Sequence, residues 1–371
     1  MSIVSSRGSL IFLLLLFYGV CAMARNEVWE SDLALWSDAA EKSPQSPKAY
    51  LNLGSSRAEK DMLDEAMDAY KRALTLKPDF ADAHFCLGVA YAEKGLQDEA
   101  IRSYEAALRS DARLTEAYQE LGRIYAERGL QDEAVGLYRK ALAVDSDAWK
   151  VHYNLGLVYG DKGLSDEAVA CYQEAIRINP EYAEAYNNLG LLYAGKGLLD
   201  EAVTRYREAI RINPEYAEAY YNLGLTYAAK EEVDEAVTCY EIALRLKPEV
   251  AEFYNALGIA YGTKGSSEGA IGAYRTALKL KPEDPNVHHN LGLAYAKAGL
   301  LDEAILAYRE ALKLKPGYAR VYYNLGDAYR DKGSYEMAVR AYEAFLKLWE
   351  GDVKYKELVE ERMKTALSKT K

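Results

Sequence analysis

The sequence predicts an all-α fold: a solenoid of helix-turn-helix repeats, with an N-terminal apolar helix in front of it. Three observations carry that expectation. Glycine recurs at a strict interval, with Gly54, Gly88, Gly122, Gly156, Gly190, Gly224, Gly258, Gly292 and Gly326 each 34 residues apart. Between these glycines, apolar and aromatic residues fall at helical spacings on two successive segments. One example is Tyr186, Leu189 and Tyr193, then Leu198, Ala202, Tyr206, Ala209 and Ile210. The junctions carry stop and start signals. Lys196-Gly197 offers a cation and a residue free to turn left-handed at the end of the first segment, Asp200 and Glu201 face the N–H groups that open the second, and Pro214 ends it.

Counting the recurrent glycine as position 8 gives nine repeats, from Pro47 to Asp352. Position 20 is alanine throughout, from Ala66 to Ala338, and position 24 is tyrosine throughout, from Tyr70 to Tyr342. Position 11 is tyrosine except at Arg57, and position 27 is alanine except at Phe345. Position 32 is proline at Pro78, Pro180, Pro214, Pro248, Pro282 and Pro316. The small residues at positions 8 and 20 are expected to let the two helices of a repeat approach closely. This order of Gly, Tyr, Ala, aromatic, Ala and Pro resembles the tetratricopeptide repeat (TPR) family over more than four-fifths of the chain. The resemblance implies a right-handed superhelical solenoid, because no repeat can bury its apolar face alone. It also implies a concave groove lined by the first helix of each repeat, mainly through positions 2, 5, 6, 9, 12 and 13.

The ends follow from the same phase. Residues 1–25 read as a signal peptide or membrane anchor: Arg7 precedes an uncharged apolar stretch from Gly8 to Ala24, and Ala22-Met23-Ala24 fits a cleavage site. Either reading puts the repeats outside the cytosol, in a periplasm or lumen. Residues 26–46 match the second half of a repeat, with Trp36, Ala39 and Pro44 in register, and are expected to form a lone N-terminal capping helix. The nine repeats occupy 47–352. Residues 353–371 carry Tyr355, Leu358, Val359, Met363 and Leu367 on one stripe, which predicts an amphipathic C-terminal capping helix.

Composition excludes several function classes. The net charge of −11 leaves no basic face for nucleic acid. Four cysteines are too few for a disulfide scaffold, and Cys171 and Cys239, two repeats apart at the same position, predict no bridge. His84, His152 and His288 all replace the tyrosine of position 4, so they read as framework rather than as metal ligands, and His289 points elsewhere. No nucleophile, acid–base pair or phosphate loop emerges beyond the repeat itself, so the chain reads as a non-enzyme without cofactor, metal or small-molecule substrate.

Binding residues are expected along the groove. Position 6 is Asn52, Asn154, Asn188, Asn222, Asn290 and Asn324 in six repeats, and an exposed amide can pair with the backbone of any extended peptide. These amides resemble the asparagine ladder in the repeat arm of O-linked N-acetylglucosamine transferases. Position 5 varies and offers Phe85, Tyr153, Tyr221 and Tyr323 as exposed aromatic hot spots. Glu184, Glu218 and Glu252 at position 2 suit a basic peptide or a solvated face equally. The expected function is an exported or membrane-anchored scaffold that binds extended segments of other proteins in its groove. The alternative is an accessory or detached arm of a membrane glycosyltransferase. It rests on the ladder and on residues 24–44, which resemble the junction before the TPR tails of multi-span membrane glycosyltransferases.

Overall fold

A computed structural model describes residues 31–370, which hold twenty α-helices and no strand. The expected signal or anchor at residues 1–25, with its apolar helix and Cys21, lies outside the described residues, as do residues 26–30 of the expected cap. Among the described residues no helix is long and apolar enough to cross a membrane. The lone N-terminal helix is α1 (Asp32–Lys42), and Ser31 Oγ accepts from the Ala34 N–H to cap it.

Nine helix pairs follow, one per repeat, and they form two compact bodies that divide between Pro180 and Glu181. The first body contains α2 (Pro47–Ala58) and α3 (Leu63–Leu76), α4 (Ala81–Glu93) and α5 (Gln97–Ser110), α6 (Thr115–Glu127) and α7 (Gln131–Val144), and α8 (Trp149–Asp161) and α9 (Ser165–Ile178). The second contains α10 (Ala183–Gly195) and α11 (Leu199–Ile212), α12 (Ala217–Ala229) and α13 (Val233–Leu246), α14 (Ala251–Lys264) and α15 (Ser267–Leu280), α16 (Pro285–Lys297) and α17 (Leu301–Leu314), and α18 (Ala319–Asp331) and α19 (Tyr335–Leu348). It closes with α20 (Val353–Ser368). Within each body the two helices of a repeat pack together, the second packs on the first helix of the next repeat, and neighbouring first helices touch.

The repeat signature is a packing code. Alanines 66, 100, 134, 168, 202, 236, 270, 304 and 338 at position 20 are fully buried. The position-8 glycine admits not a neighbouring backbone but the position-24 tyrosine of its own repeat: a Cβ built on Gly190 would lie 2.7 Å from Tyr206 Cε1. The ring lies flat where a side chain would stand, and Tyr206 is buried as a result.

The turn between the paired helices is left-handed at position 15 in all nine repeats. Seven use glycine, such as Gly197 with φ +76°, while Asp61 (φ +61°) and Glu231 (φ +64°) adopt the same conformation with a side chain. The next residue, Leu198, is exposed in the turn rather than part of the apolar face. Between repeats, the cation at position 14 reaches back to the acidic residue at position 18 of the previous repeat. Arg128–Asp98 (2.7 Å), Lys230–Asp200 (2.8 Å) and Lys264–Asp234 (2.7 Å) are such pairs, and Lys162–Asp132 and Lys332–Asp302 repeat the geometry.

The two ends differ in detail from expectation. In α1, Ala40 is buried and Trp36 and Ala39 pack beside it on Ala49 and Leu53. In α20 the buried seam is Val359 and Ala366 with Tyr355 and Met363 beside them, whereas Leu358 and Leu367 face solvent. The helix α20 also departs from the repeat code, because Glu360 stands where every repeat has its glycine.

Candidate functional site

All first helices use the same two faces. Positions 3 and 7 are buried in every repeat, while positions 6 and 9 are half-buried or exposed, apart from Ala256, which is buried. Leu189 and Leu191 illustrate the rule: two residues turn the side chain by about 200° around the helix, so burying one exposes the other. Leu191, Leu225, Ile259 and Leu293 are 41–48% exposed, a row of large aliphatic side chains at position 9 of four successive repeats in the second body. Leu157 continues the type in the first body, and Asp327 ends it in the ninth repeat. Sequence reading placed position 9 in the groove but did not single out this row. The signal available was a leucine or isoleucine directly after the invariant glycine.

Beyond each aliphatic residue the first helix carries small side chains. No heavy atom outside the helix itself lies within 4 Å of a Cβ built on Gly195 or Gly262. One consequence is an open cleft of about 290 Å³ between the seventh and eighth repeats, lined by Ile259, Gly262, Thr263, Asn290, Leu293 and Lys297.

The six position-6 amides, Asn52, Asn154, Asn188, Asn222, Asn290 and Asn324, are all half-buried on this first-helix face. Three of them donate to position 5 of the preceding repeat. Asn222 Nδ2 donates to Asn187 Oδ1 (2.9 Å), Asn290 Nδ2 to Asn255 Oδ1 (3.2 Å), and Asn324 Nδ2 to His289 Nε2 (2.8 Å). Asn187, itself buried, also donates to Asn188 Oδ1 (3.3 Å). The amides are therefore partly framework: each such bond ties two repeats together and commits one N–H of the donor, not its side-chain carbonyl oxygen.

The position-5 aromatics are half-buried rather than exposed. Phe85 lies 5.7 Å from Tyr104, Tyr153 lies 5.7 Å from Tyr172, and Tyr221 lies 5.9 Å from Tyr240, each ring tilted on the position-24 tyrosine of its own repeat. Tyr221 also stacks on Phe253 at 4.5 Å, and burial raises its hydroxyl pKa. Tyr323 serves the end of the array: it packs on Phe345 and Tyr355, and Arg362 of α20 lies over its ring. Two of the three position-2 glutamates are also engaged. Glu218 pairs with Lys247 and Glu252 with Lys281 (3.2 Å), each within one repeat, so they add less negative field to the face than their number suggests.

The position-4 histidines fasten turns. His84, His152 and His288 donate from Nε2 to the carbonyls of Pro78 (2.8 Å), Ser146 (2.9 Å) and Pro282 (3.0 Å), in each case position 32 of the preceding repeat. His289 is buried and accepts from Asn324. Burial, then the charge of Arg320, pushes its pKa down to about 4. Cys86, Cys171 and Cys239 are free thiols, and burial pushes the latter two up to about 11, which leaves them unreactive near neutrality.

Family comparison covers nearly all of the repeats. Residues 110–295 match the family described as the cilia and flagella-associated protein 70 C-terminal domain. Residues 56–95 and 296–333 match a TPR repeat family, and residues 81–113 and 319–348 match a second tetratricopeptide repeat family. No curated protein matches the chain. Among solved structures, YrrB, titled a TPR protein with an unusual peptide-binding site, is 27% identical over 51% of this chain and 97% of its own, with a TM-score of 0.46. MamA is 33% identical over 44% of this chain and 95% of its own, with a TM-score of 0.41. PilF of Pseudomonas aeruginosa is 22% identical over 56% of this chain and 94% of its own, with a TM-score of 0.51, and shares the fold.

Proposed function

We propose that this chain, which belongs to the tetratricopeptide-repeat family, is a non-enzymatic scaffold that holds an extended segment of a partner protein along its first-helix face. The observation that carries this reading is the open cleft between Ile259 and Leu293. It is bordered by an amide, and the same aliphatic residue recurs in the preceding repeats. An extended peptide fits such a surface because its alternate side chains can enter successive apolar clefts while the asparagine carbonyls accept from its backbone N–H groups. The proposal extends to location. Residues 1–25 as a signal or anchor would deliver the repeats outside the cytosol, and the mass of the exported protein tests that part.

The binding test uses an immobilised library of extended peptides and the purified full chain. Leu225→Asp and Ile259→Asp alter exposed side chains, so both variants keep the circular dichroism of the wild type. Loss of the wild-type peptide set by these variants is the expected result. Recovery of the same set at the same strength removes the first-helix face from the function.

A further inference from the structure

The junction between the eighth and ninth repeats is chemically unlike the others on its second-helix side. There α17, α18 and α19 enclose a cleft of about 360 Å³ with an apolar floor that includes the buried Leu325. Three cations line it, Arg309, Lys313 and Arg340, and no carboxylate does.

One substitution within the repeat code adds to this imbalance. Met337 occupies position 19, which is glutamate in seven of the nine repeats. In the second repeat, Glu99 at that position pairs with Arg102, three residues on, at 2.9 Å. In the ninth, Arg340 stands where Arg102 does but faces Met337 instead, and it has no ion pair among the described residues.

Arg309 and Tyr329 add two further uncommitted groups to the cleft. At two other junctions the equivalent pair is closed: Arg139 donates to Tyr159 Oη (3.0 Å) and Arg207 to Tyr227 Oη (2.6 Å). Here, as for Arg275 and Tyr295 at the preceding junction, Arg309 and Tyr329 make no such bond, and Tyr329 lines the cleft. The Tyr329 hydroxyl carries no bond among the described residues and is not sealed from solvent, so it is free to donate to a bound group. Lys313 pairs only with Glu310 on its own helix, in solvent (3.3 Å).

We propose that this cleft binds an acidic segment of a partner protein, with one large apolar side chain on the floor and flanking carboxylates held by Arg309 and Arg340. Guanidinium forks match carboxylates in geometry as well as charge, and the Tyr329 hydroxyl supplies one more donor. The cleft is large enough for one or two side chains and no more, which suits an anchor residue. An anionic membrane is disfavoured because the chain as a whole carries a net charge of −11, while a short acidic peptide meets only the local cationic field.

The test uses the full chain and a fluorescein-labelled peptide in which a Trp-Leu pair is flanked on both sides by Asp and Glu. Saturable binding is expected, weakening with added salt and falling at least about tenfold in Met337→Glu and in the double variant Arg309→Gln/Arg340→Gln. Met337→Glu restores the residue class that other repeats carry, so its fold is preserved. Ile259→Asp, on the first-helix face, is expected to bind this peptide as the wild type does, which separates the two surfaces. Equal affinity of the wild type and Met337→Glu, or no saturable binding, overturns the proposal. So does binding to phosphatidylglycerol vesicles that the peptide does not compete away.

Discussion

At the residue scale, single positions of the repeat have roles that can be separated. Gly190 lacks a side chain because the Tyr206 ring occupies that space, so Gly190→Leu must push a buried aromatic aside. The expected cost is about 1–3 kcal/mol, read as a lower urea midpoint, and an unchanged midpoint would mean the ring has somewhere to go. Glu231 tests the opposite sign. It is exposed and holds φ +64°, where glycine serves in seven repeats, so Glu231→Gly is expected to raise stability by about 1 kcal/mol. His289 gives a pH dependence. Its folded pKa lies near 4, below the ordinary imidazole value of 6.5, so the unfolded chain takes the proton first as pH falls. Its contribution is complete above about pH 6.5 and is lost between there and about pH 4, by up to about 1.4 kcal/mol per pH unit. His289→Asn keeps an acceptor for Asn324, as Asn187 and Asn255 do for their partners, and removes the titration. The difference in urea midpoint between wild type and variant should therefore change steadily from pH 7 to 4.5. A constant difference would show that His289 does not titrate as buried.

At the scale of elements, the helix that ends the array is held by chemistry no internal repeat uses. Asp327 replaces the aliphatic residue of position 9 and accepts from Tyr342 Oη (2.7 Å), Arg330 (2.9 Å) and Arg362 of α20. Phe345 replaces the alanine of position 27 and stacks on Trp349 at 5.2 Å, with Tyr355 of α20 tilted against it. Arg362→Met keeps the stem over Tyr323 and removes the charged bond, so it is expected to cost about 1 kcal/mol, discounted for its partial exposure. Hydrogen exchange should locate the loss in residues 353–368; faster exchange spread evenly over all repeats would argue against a local cap. The sequence made the helices and their turns legible because glycine, proline and the apolar period act over a few residues. The amide bonds between repeats were not legible in the same way. Asn222 and Asn187 are 35 residues apart, a separation that matches no helical period and gains meaning only once neighbouring first helices touch. The position-5 aromatics were read as exposed for a related reason: Tyr221 is covered by Tyr240, nineteen residues on, in the other helix of its repeat. The Lys–Asp pairs between repeats look in the sequence like charges at their own helix ends, because Lys264 and Asp234 are far apart in the chain and meet only when repeats stack.

At the scale of the whole molecule, each repeat restates the same contacts, so stability is expected to be a sum of repeats and of the junctions between them. Removing residues 217–250, the sixth repeat, tests this. The fifth repeat would then meet the seventh with most of the code intact: Asp200 finds Lys264 in place of Lys230, and Gly190 with Tyr206 and Gly258 with Tyr274 stay paired within their own repeats. One bond has no replacement. Asn187 loses Asn222 and would face Ala256, which has no amide to offer. The expected protein is folded, keeps its helix content per residue, and unfolds at a slightly lower urea concentration, the loss being one repeat, one junction and one buried acceptor, about 1–3 kcal/mol for the last. A deletion of residues 217–233 is half as long but out of phase. It removes the first helix of the sixth repeat and keeps the second, so a second-helix segment follows where a first helix is due, and Tyr240 loses the Gly224 site that its ring fills. That shorter deletion is expected to do more damage than the longer one, measured by circular dichroism and urea unfolding side by side. If the in-phase deletion were the more damaging, the repeats would be carrying individual rather than interchangeable contacts, and the repeat code would not account for the stability of the array.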